Sequence, residues 1–261
     1  MLLRKIYALV LFISIAVLVA ACGGGGDSGG GAASGGGDGG GEAAVVDPAT
    51  AGSVSGKVSF TGTAPEPVRI DMGAEAACAA AYTEGPFAQT VVVNDNGTLA
   101  NVFVYVKSGL EGMTFPTPGE TVLLDQKNCR YEPHVLGVQT NQTIVIRNSD
   151  DLLHNIHPEP ANSRGFNVGQ PKQGMETEKS FSAAEIMIPV GCDVHGWMSA
   201  FIGVVDHPYF AVTGSDGSFT LPNLPPGEYT IEAWHEEYGT QEMKVTVGEK
   251  ASVTSDFTFG G

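Results

Sequence analysis

Short runs of alternating apolar and polar residues recur along this chain, and helical periodicity is nearly absent. Alternation of this kind has the period of a half-buried β-strand, and a short continuous apolar run between turns is typical of a fully buried one. Turn-forming Gly, Pro, Asn and Asp residues separate the runs. The pattern predicts an all-β protein built from sandwiches. The alternating runs lie at 54–60, 102–106 and 186–190, and the continuous one lies at 143–146.

The first 22 residues have the layout of a secretory signal. Arg4 and Lys5 precede an apolar run at 6–19, and small residues then lead to Cys22. The run is shorter than the ~20 residues that a membrane-spanning helix needs. The cysteine that ends it resembles that of a bacterial lipobox, which implies a signal peptide at 1–21 and a lipid on Cys22. An uncleaved signal anchor is the alternative.

A glycine-rich stretch follows at 22–50. Residues 23–41 are almost only Gly, with Asp, Ser and Ala. Because such side chains bury little apolar surface, we expect a disordered tether here. With the lipobox, this tether predicts a folded body held by its lipid to a bacterial cell envelope, on the extracytoplasmic side. The net charge of −16 argues against nucleic acid as a partner, because phosphates repel acidic side chains.

One loop holds three candidate metal ligands. Cys192, His195 and Met198 follow one another at intervals of three residues. Thiolate and thioether sulfur suits Cu(I), and imidazole suits both oxidation states of copper, so this mixture is typical of a copper site. The second imidazole must come from elsewhere in the chain. His154 is the candidate, because it lies just past the predicted strand around Ile144.

An upstream strand, a loop ending in His-Asn and a later Cys-x-x-His-x-x-Met loop resemble the cupredoxins, and the short spacing is most similar to amicyanin. The resemblance implies one type 1 copper ion. His154, Cys192 and His195 would be its equatorial ligands and Met198 its axial ligand. Zinc is the chemical alternative, since Cys-x-x-His also occurs in zinc sites, although zinc prefers a harder or more sulfur-rich fourth ligand than Met.

The same resemblance implies roles for three neighbours of the ligands. Asn155 would tie the two ligand loops together, and Trp197 would shield the metal from water. Asp193 stands where the family often has Ser or Thr, so we expect its carboxylate to lower the reduction potential or to alter the loop tie. His157 and His235 are expected to be exposed.

Four cysteines occur in the chain. With Cys22 lipidated and Cys192 on the metal, Cys78 and Cys129 remain, and an even remainder in an exported protein favours a disulfide. Closing a loop of about 51 residues would contribute about 4 kcal/mol in the chain-entropy account. The alternatives are two free thiols, or a second metal site with His134.

A second resemblance concerns the C-terminal part. Residues 216–231 combine a Gly-Phe strand, a Leu-Pro-Pro-Gly turn and a Tyr-containing strand. This pattern resembles the carboxypeptidase regulatory-like, transthyretin-like sandwich, whose missing strands look like two of the upstream runs. We therefore predict a cupredoxin Greek-key sandwich at 120–206, inserted in a split sandwich at 51–119 and 207–261. Two consecutive domains, the first at 51–206, are the alternative.

These features together predict a membrane-tethered protein that carries single electrons between extracytoplasmic redox partners and is not an enzyme. Copper delivery is an alternative, although the sequence has no methionine cluster. A carbohydrate- or protein-binding sandwich with an accessory copper site is another. We expect the ligand loop to offer redox partners a mostly apolar rim. The predicted rim residues are Gly196, Trp197, Ser199, Ala200 and Phe201.

Overall fold

The structure is a computed structural model that describes residues 46–261, all within one compact unit. The predicted signal peptide, Cys22 and most of the tether lie outside the described residues. The described part contains one short helix, α1 (Ala76–Ala80), and 17 strands, which confirms the all-β prediction. None of its helical structure has the length or hydropathy to cross a membrane.

The strands in chain order are β1 (Gly52–Thr61), β2 (Phe103–Ser108), β3 (Val122–Lys127), β4 (Arg130–Glu132), β5 (Val135–Gln139), β6 (Ile144–Asn148), β7 (His154–Pro158), β8 (Val168–Gln170), β9 (Glu176–Lys179), β10 (Glu185–Gly191), β11 (Ser199–Val205), β12 (Phe210–Val212), β13 (Ser218–Leu224), β14 (Gly227–His235), β15 (Gly239–Val247), β16 (Ser252–Thr254) and β17 (Phe257–Gly260).

Eight of these strands form a two-layer structure, here called sandwich 1. One sheet has the order β13-β1-β16, with β17 also paired to β1, and the other has the order β12-β2-β14-β15. Val54 and Val58 of the first sheet pack with Val104 and Ile231 of the second in one buried core. Residues two apart on a strand share a face, so the alternating apolar positions of the sequence line this core.

The other nine strands form sandwich 2, which holds the predicted metal ligands. Its five-stranded sheet has the order β5-β11-β10-β7-β8, and its four-stranded sheet has the order β4-β3-β6-β9. The pairs β5–β11 and β3–β6 are parallel. Leu124, Ile146, Ile188 and Ile202 from the two sheets are fully buried in a common core.

Sandwich 1 takes two strands from before β3 and six from after β11. The insertion of sandwich 2 into sandwich 1, with boundaries at 120 and 206, remains a proposal. One segment that was predicted to belong to the split sandwich packs on sandwich 2 instead. Residues 70–82, here called the arm, pack on sandwich 2, because Met72 and Cys78 are buried in its core and Ile70 and Tyr82 pack against it.

The two sandwiches meet through a cluster of aromatic and aliphatic side chains. Phe103 and Tyr105 of β2 contact Val135 and Val205 of sandwich 2 in this cluster. The ring of Phe103 stacks on Tyr105, with centroids 5.4 Å apart, and on Phe210, at 5.8 Å. Side chains on β2 alternate between the two cores, so the strand is buried on both faces.

Candidate metal centre

Strand pairing brings three of the four predicted ligands to one end of sandwich 2. His154 is the first residue of β7, Cys192 directly follows β10, and His195 lies in the loop between β10 and β11. The antiparallel pairing of β7 with β10 places His157 opposite Gly191. The start of β7 therefore lies beside the end of β10, where the ligand loop begins.

The ligand atoms of these three residues converge on one buried point. One ring nitrogen from each of His154 and His195 and the Cys192 sulfur all lie within 4.8 Å of one another. The two Nδ1 atoms are 2.9 Å apart. Met198 is 2% exposed in the core around this group, and its backbone amide donates to the carbonyl of His195 at 2.9 Å.

The electrostatics of these side chains favour a Cys192 thiolate beside a protonated His154. Burial alone would lower the pKa of His154, but hydrogen bonds with the Asp150 carboxylate and with Cys192 raise it to about 9. Burial would raise the pKa of the Cys192 thiol, yet the hydrogen bond with His154 and neighbouring backbone groups bring it below its ordinary value. The pKa of His195 is lowered, first by burial and then by the charge of His154. A deprotonated sulfur is the form that binds metal.

Asn155 joins β7 to the ligand loop, as the resemblance implies. Its Oδ1 accepts a hydrogen bond from the Asp193 amide at 2.7 Å and lies 3.3 Å from the Cys192 sulfur, which donates to it only as the protonated thiol. The Asp193 carboxylate accepts from the side-chain amides of Asn155 (3.1 Å) and Asn167 (2.6 Å) and bonds to His157 Nδ1 at 3.0 Å. The additional carboxylate thus extends the loop tie and stands apart from the group of ligand atoms.

Two residues that hold the site were missed by the sequence analysis. Asp150 Oδ2 lies 2.9 Å from His154 Nε2, the ring nitrogen that faces away from the other histidine. The Tyr131 hydroxyl lies 2.6 Å from the carbonyl of Asn155 and 2.9 Å from that of Gly191, so it bridges the two ligand-bearing segments. The only available signal for Asp150 was its position four residues before His154. Nothing in the sequence pattern marks Tyr131.

The predicted disulfide between Cys78 and Cys129 is present, with a Cα–Cα distance of 5.6 Å. This pairing removes the alternatives of free thiols and of a second metal site. His134 is buried instead between the Ser199 carbonyl (3.1 Å from Nδ1) and the Glu236 carboxylate (2.8 Å from Nε2).

The predicted apolar rim is wrong in part. Ala200 is buried, and Phe201 turns toward sandwich 1, where its ring lies 5.1 Å from that of Trp234. The exposed apolar side chains near the ligands are Leu153 and Val194, each 46% exposed. Their outward direction follows from strand and loop geometry that the sequence pattern does not show.

The expectation of an exposed His235 is also wrong, whereas His157 is partly exposed as expected. His235 is 1% exposed and its ring stacks on Tyr238, with centroids 4.9 Å apart. It ends β14 at a tight hairpin, and the aromatic residues of sandwich 1 cover it.

The donor set fits copper. Two imidazole nitrogens and one sulfur with a lowered pKa converge in a buried place, and a buried thioether residue follows in the same loop. Imidazole with soft sulfur suits copper in both oxidation states. The Asp150 carboxylate on the far nitrogen of His154 is the partner that metal-binding histidines usually have.

The comparisons with known proteins concern both sandwiches. The family model of the carboxypeptidase regulatory-like domain matches residues 200–260. The chain therefore carries a carboxypeptidase regulatory-like segment at its C-terminal end. The match begins in β11 of sandwich 2 and covers β12–β17 of sandwich 1, which confirms the second resemblance seen in the sequence.

The solved structures that resemble the chain include copper proteins. An oxidised proline-to-glycine mutant of amicyanin is 18% identical, with a TM-score of 0.30, over 39% of this chain and 97% of that one. A purple cupredoxin from Nitrosopumilus maritimus is 22% identical, with a TM-score of 0.28, over 32% and 97%. A copper-containing nitrite reductase from Thermus scotoductus SA-01 is 16% identical, with a TM-score of 0.32, over 36% and 24%. With TM-scores this low, the description of sandwich 2 rests on its strand pairing.

The curated relatives are enzymes. A probable rhamnogalacturonate lyase A from Aspergillus flavus is 35% identical over 85 residues, which is 31% of this chain and 16% of that protein. Another from Aspergillus clavatus is 27% identical over 177 residues, 67% of this chain and 28% of that protein. The prediction that the chain is not an enzyme is contradicted by these names. The chain spans less than a third of the length of the relatives it matches.

Proposed function

We propose that sandwich 2 holds one type 1 copper ion and passes single electrons. The observation that carries the proposal is the convergence of the His154 and His195 Nδ1 atoms with the Cys192 sulfur inside a buried, hydrogen-bonded frame. His154, Cys192, His195 and Met198 would hold the ion. Copper bound there supplies one-electron oxidation and reduction.

Hydrogen bonds from the protein hold the ligand-bearing segments in fixed positions. The Tyr131 hydroxyl and the Asn155 side chain connect β7 to the end of β10. Trp197 covers His195 with ring centroids 5.1 Å apart, and its Nε1 donates to the carbonyl of Cys129 at 3.1 Å. Side chains fixed in this way would keep nearly the same geometry around a bound ion in both oxidation states, and their burial would limit the access of water.

Electrons would enter and leave beside His195. This histidine is 5% exposed. Leu153 directly precedes His154 and Val194 directly precedes His195, and both of these apolar side chains are exposed. A small apolar contact of this kind suits brief docking of a redox protein. Substituting Val194→Asp is expected to slow electron exchange with such a partner and to leave the copper spectrum unchanged.

We further propose that the body is tethered through a lipid on Cys22 to the extracytoplasmic side of a bacterial membrane. The support is the signal-like residues 1–21 and the cysteine that follows them. Expression of the chain with Cys22→Ala should move it from the membrane fraction to the soluble fraction. Retention of the variant in the membrane fraction would contradict lipidation.

The copper assignment is tested by adding Cu(II) to the purified chain. An intense visible thiolate-to-copper band and a narrow copper hyperfine splitting in electron paramagnetic resonance are expected. Cys192→Ser should abolish the band. A colourless protein that exchanges Cu(I) readily would refute electron transfer and favour copper delivery, and a band that survives in Cys192→Ser would refute the ligand set.

The role of Met198 can be tested against a matched methionine within the same core. Met198→Leu and Met72→Leu both exchange a buried thioether for an isosteric hydrocarbon, which packing tolerates. We expect Met198→Leu to shift the reduction potential and the visible spectrum, and Met72→Leu to leave both unchanged. Equal behaviour of the two variants would remove Met198 from the site.

A further inference from the structure

The backbone amides of the turn between β3 and β4 bind a carboxylate. Asn128 and Cys129 both have left-handed conformations, with φ of 52° and 55°, as in the two-residue turns that close hairpins. Their amides donate to the two carboxylate oxygens of Asp150, each at 2.7 Å. A cysteine rarely adopts this conformation, so other contacts must maintain it.

The carboxylate that this turn holds is the one that orients His154. Asp150 Oδ2 accepts from the Cys129 amide and lies 2.9 Å from His154 Nε2. When Nε2–H donates to the carboxylate, the lone pair of Nδ1 is left free to face the other ligand atoms. The Asp150 side chain thus connects the backbone of Cys129 to the ring of His154.

The same turn residue reaches the second histidine. The carbonyl of Cys129 accepts a hydrogen bond from Trp197 Nε1 at 3.1 Å, and the Trp197 ring lies against that of His195. The amide of Cys129 thus contacts the partner of His154 and its carbonyl contacts the partner of His195, although Cys129 precedes Cys192 by 63 positions in the sequence.

The disulfide fastens this turn to the arm. Cys78 lies in α1, and both cysteines are buried, with 0% and 1% exposure. Beside the disulfide, the Tyr82 hydroxyl donates to the carbonyl of Asn128 at 2.8 Å. The arm is itself fixed by burial of Met72 in the core of sandwich 2.

We propose that the Cys78–Cys129 disulfide is a positioning element of the metal centre. It holds the turn so that Asp150 and Trp197 keep the two histidine ligands in their orientations. This inference rests on the proposed copper site. The disulfide would then act in the folded protein as well as by restricting the unfolded chain. Its effect on the ligands would pass through Asp150 to His154 and through Trp197 to His195.

The test compares the copper-loaded chain with the variant Cys78→Ser/Cys129→Ser. Circular dichroism first establishes a temperature at which both are folded. There, copper transfer to a chelator is expected to be about 10-fold faster in the variant, the lower end of the loss of metal affinity that removing a ligand's own partner causes. Its electron paramagnetic resonance spectrum is expected to change. Unchanged transfer and an unchanged spectrum in the folded variant would overturn the proposal.

A matched control separates positioning from general loss of stability. Leu224→Ala truncates a side chain that is 0% exposed in the core of sandwich 1, away from the ligands. It should lower the unfolding temperature without altering the copper spectrum of the folded protein. A spectral change as large as that of the disulfide variant would overturn the proposal.

Two single substitutions keep the proposal testable if the double cysteine variant does not fold. Asp150→Asn and Trp197→Phe each remove one route from Cys129 to a histidine, and each is expected to accelerate copper transfer. No acceleration in either variant would overturn the proposal. A wild-type chain that shows no thiolate-to-copper band would instead refute the copper site itself, so the two failures are distinguishable.

Discussion

The contact between the two sandwiches depends on two glycines that face each other across β5 and β11. Gly137 and Gly203 are paired in register. A Cβ added to Gly203 would lie 2.7 Å from Phe103 Cζ and 2.5 Å from Met187 Cε. The methionine end can move aside. The Phe103 ring cannot, because it is fully buried and stacked on Tyr105.

Gly203→Ala is therefore expected to lower the free energy of unfolding by about 1–3 kcal/mol, the usual cost of overpacking a close-packed interior. Urea unfolding followed by fluorescence measures it. Gly169→Ala is the matched control, because Gly169 also lies in a strand and a Cβ there would meet nothing within 4 Å. The control should change the unfolding free energy by less than about 1 kcal/mol.

A double-mutant cycle tests the stated cause. Phe103→Leu removes the ring atoms that the new methyl group would strike, so Gly203→Ala should cost less in that background. We expect a coupling of about 1 kcal/mol or more. A Gly203→Ala variant as stable as wild type, or costs that add to within about 0.5 kcal/mol, would refute the steric reasoning.

Three further outcomes are expected. Tyr105→Phe should lower the unfolding free energy by about 1–3 kcal/mol, because its hydroxyl donates to the Glu232 carboxylate at 2.6 Å and that residue is 4% exposed; an unchanged urea midpoint would contradict this. Burial lowers the pKa of His207 below its ordinary value of 6.5, so the unfolded chain binds this proton more readily and stability should fall as pH drops below about 6.5. His207→Gln should reduce that fall in urea unfolding at pH 7.5 and 5.5, and identical pH dependence would show that other groups cause it. Asn155→Ala should accelerate copper release about 10-fold or more, because the Asp193 amide of the ligand loop loses its acceptor; release at the wild-type rate would exclude this role.

The sequence predicted those residues of the candidate site that lie close together in the chain. Cys192, His195 and Met198 share one loop, and their order carries the chemistry of the donor set. His154 was found because a second imidazole was required and because it follows a strand. The all-β character was visible for a similar reason, since alternation of period two is a property of short segments.

Contacts between distant segments were not accessible in this way. Asp150 reaches the amide of Cys129 across 21 residues, and Tyr131 reaches the carbonyl of Gly191 across 60. Neither residue type is unusual at its position, so only the fold assigns it a role. Phe201 was misplaced for the same reason, because its direction is decided by contact with Trp234 in the other sandwich.

The burial of β2 on both faces has a consequence for dissecting this protein. A fragment that ends before β3, or one that begins after it, would separate Phe103 and Tyr105 from the glycine-lined sheet that they cover. Either piece would present a flat aromatic or aliphatic surface to water and would tend to associate with itself. Attempts to isolate the metal-binding half should therefore either retain β2 or place polar residues on the sheet face that Phe103 and Tyr105 cover.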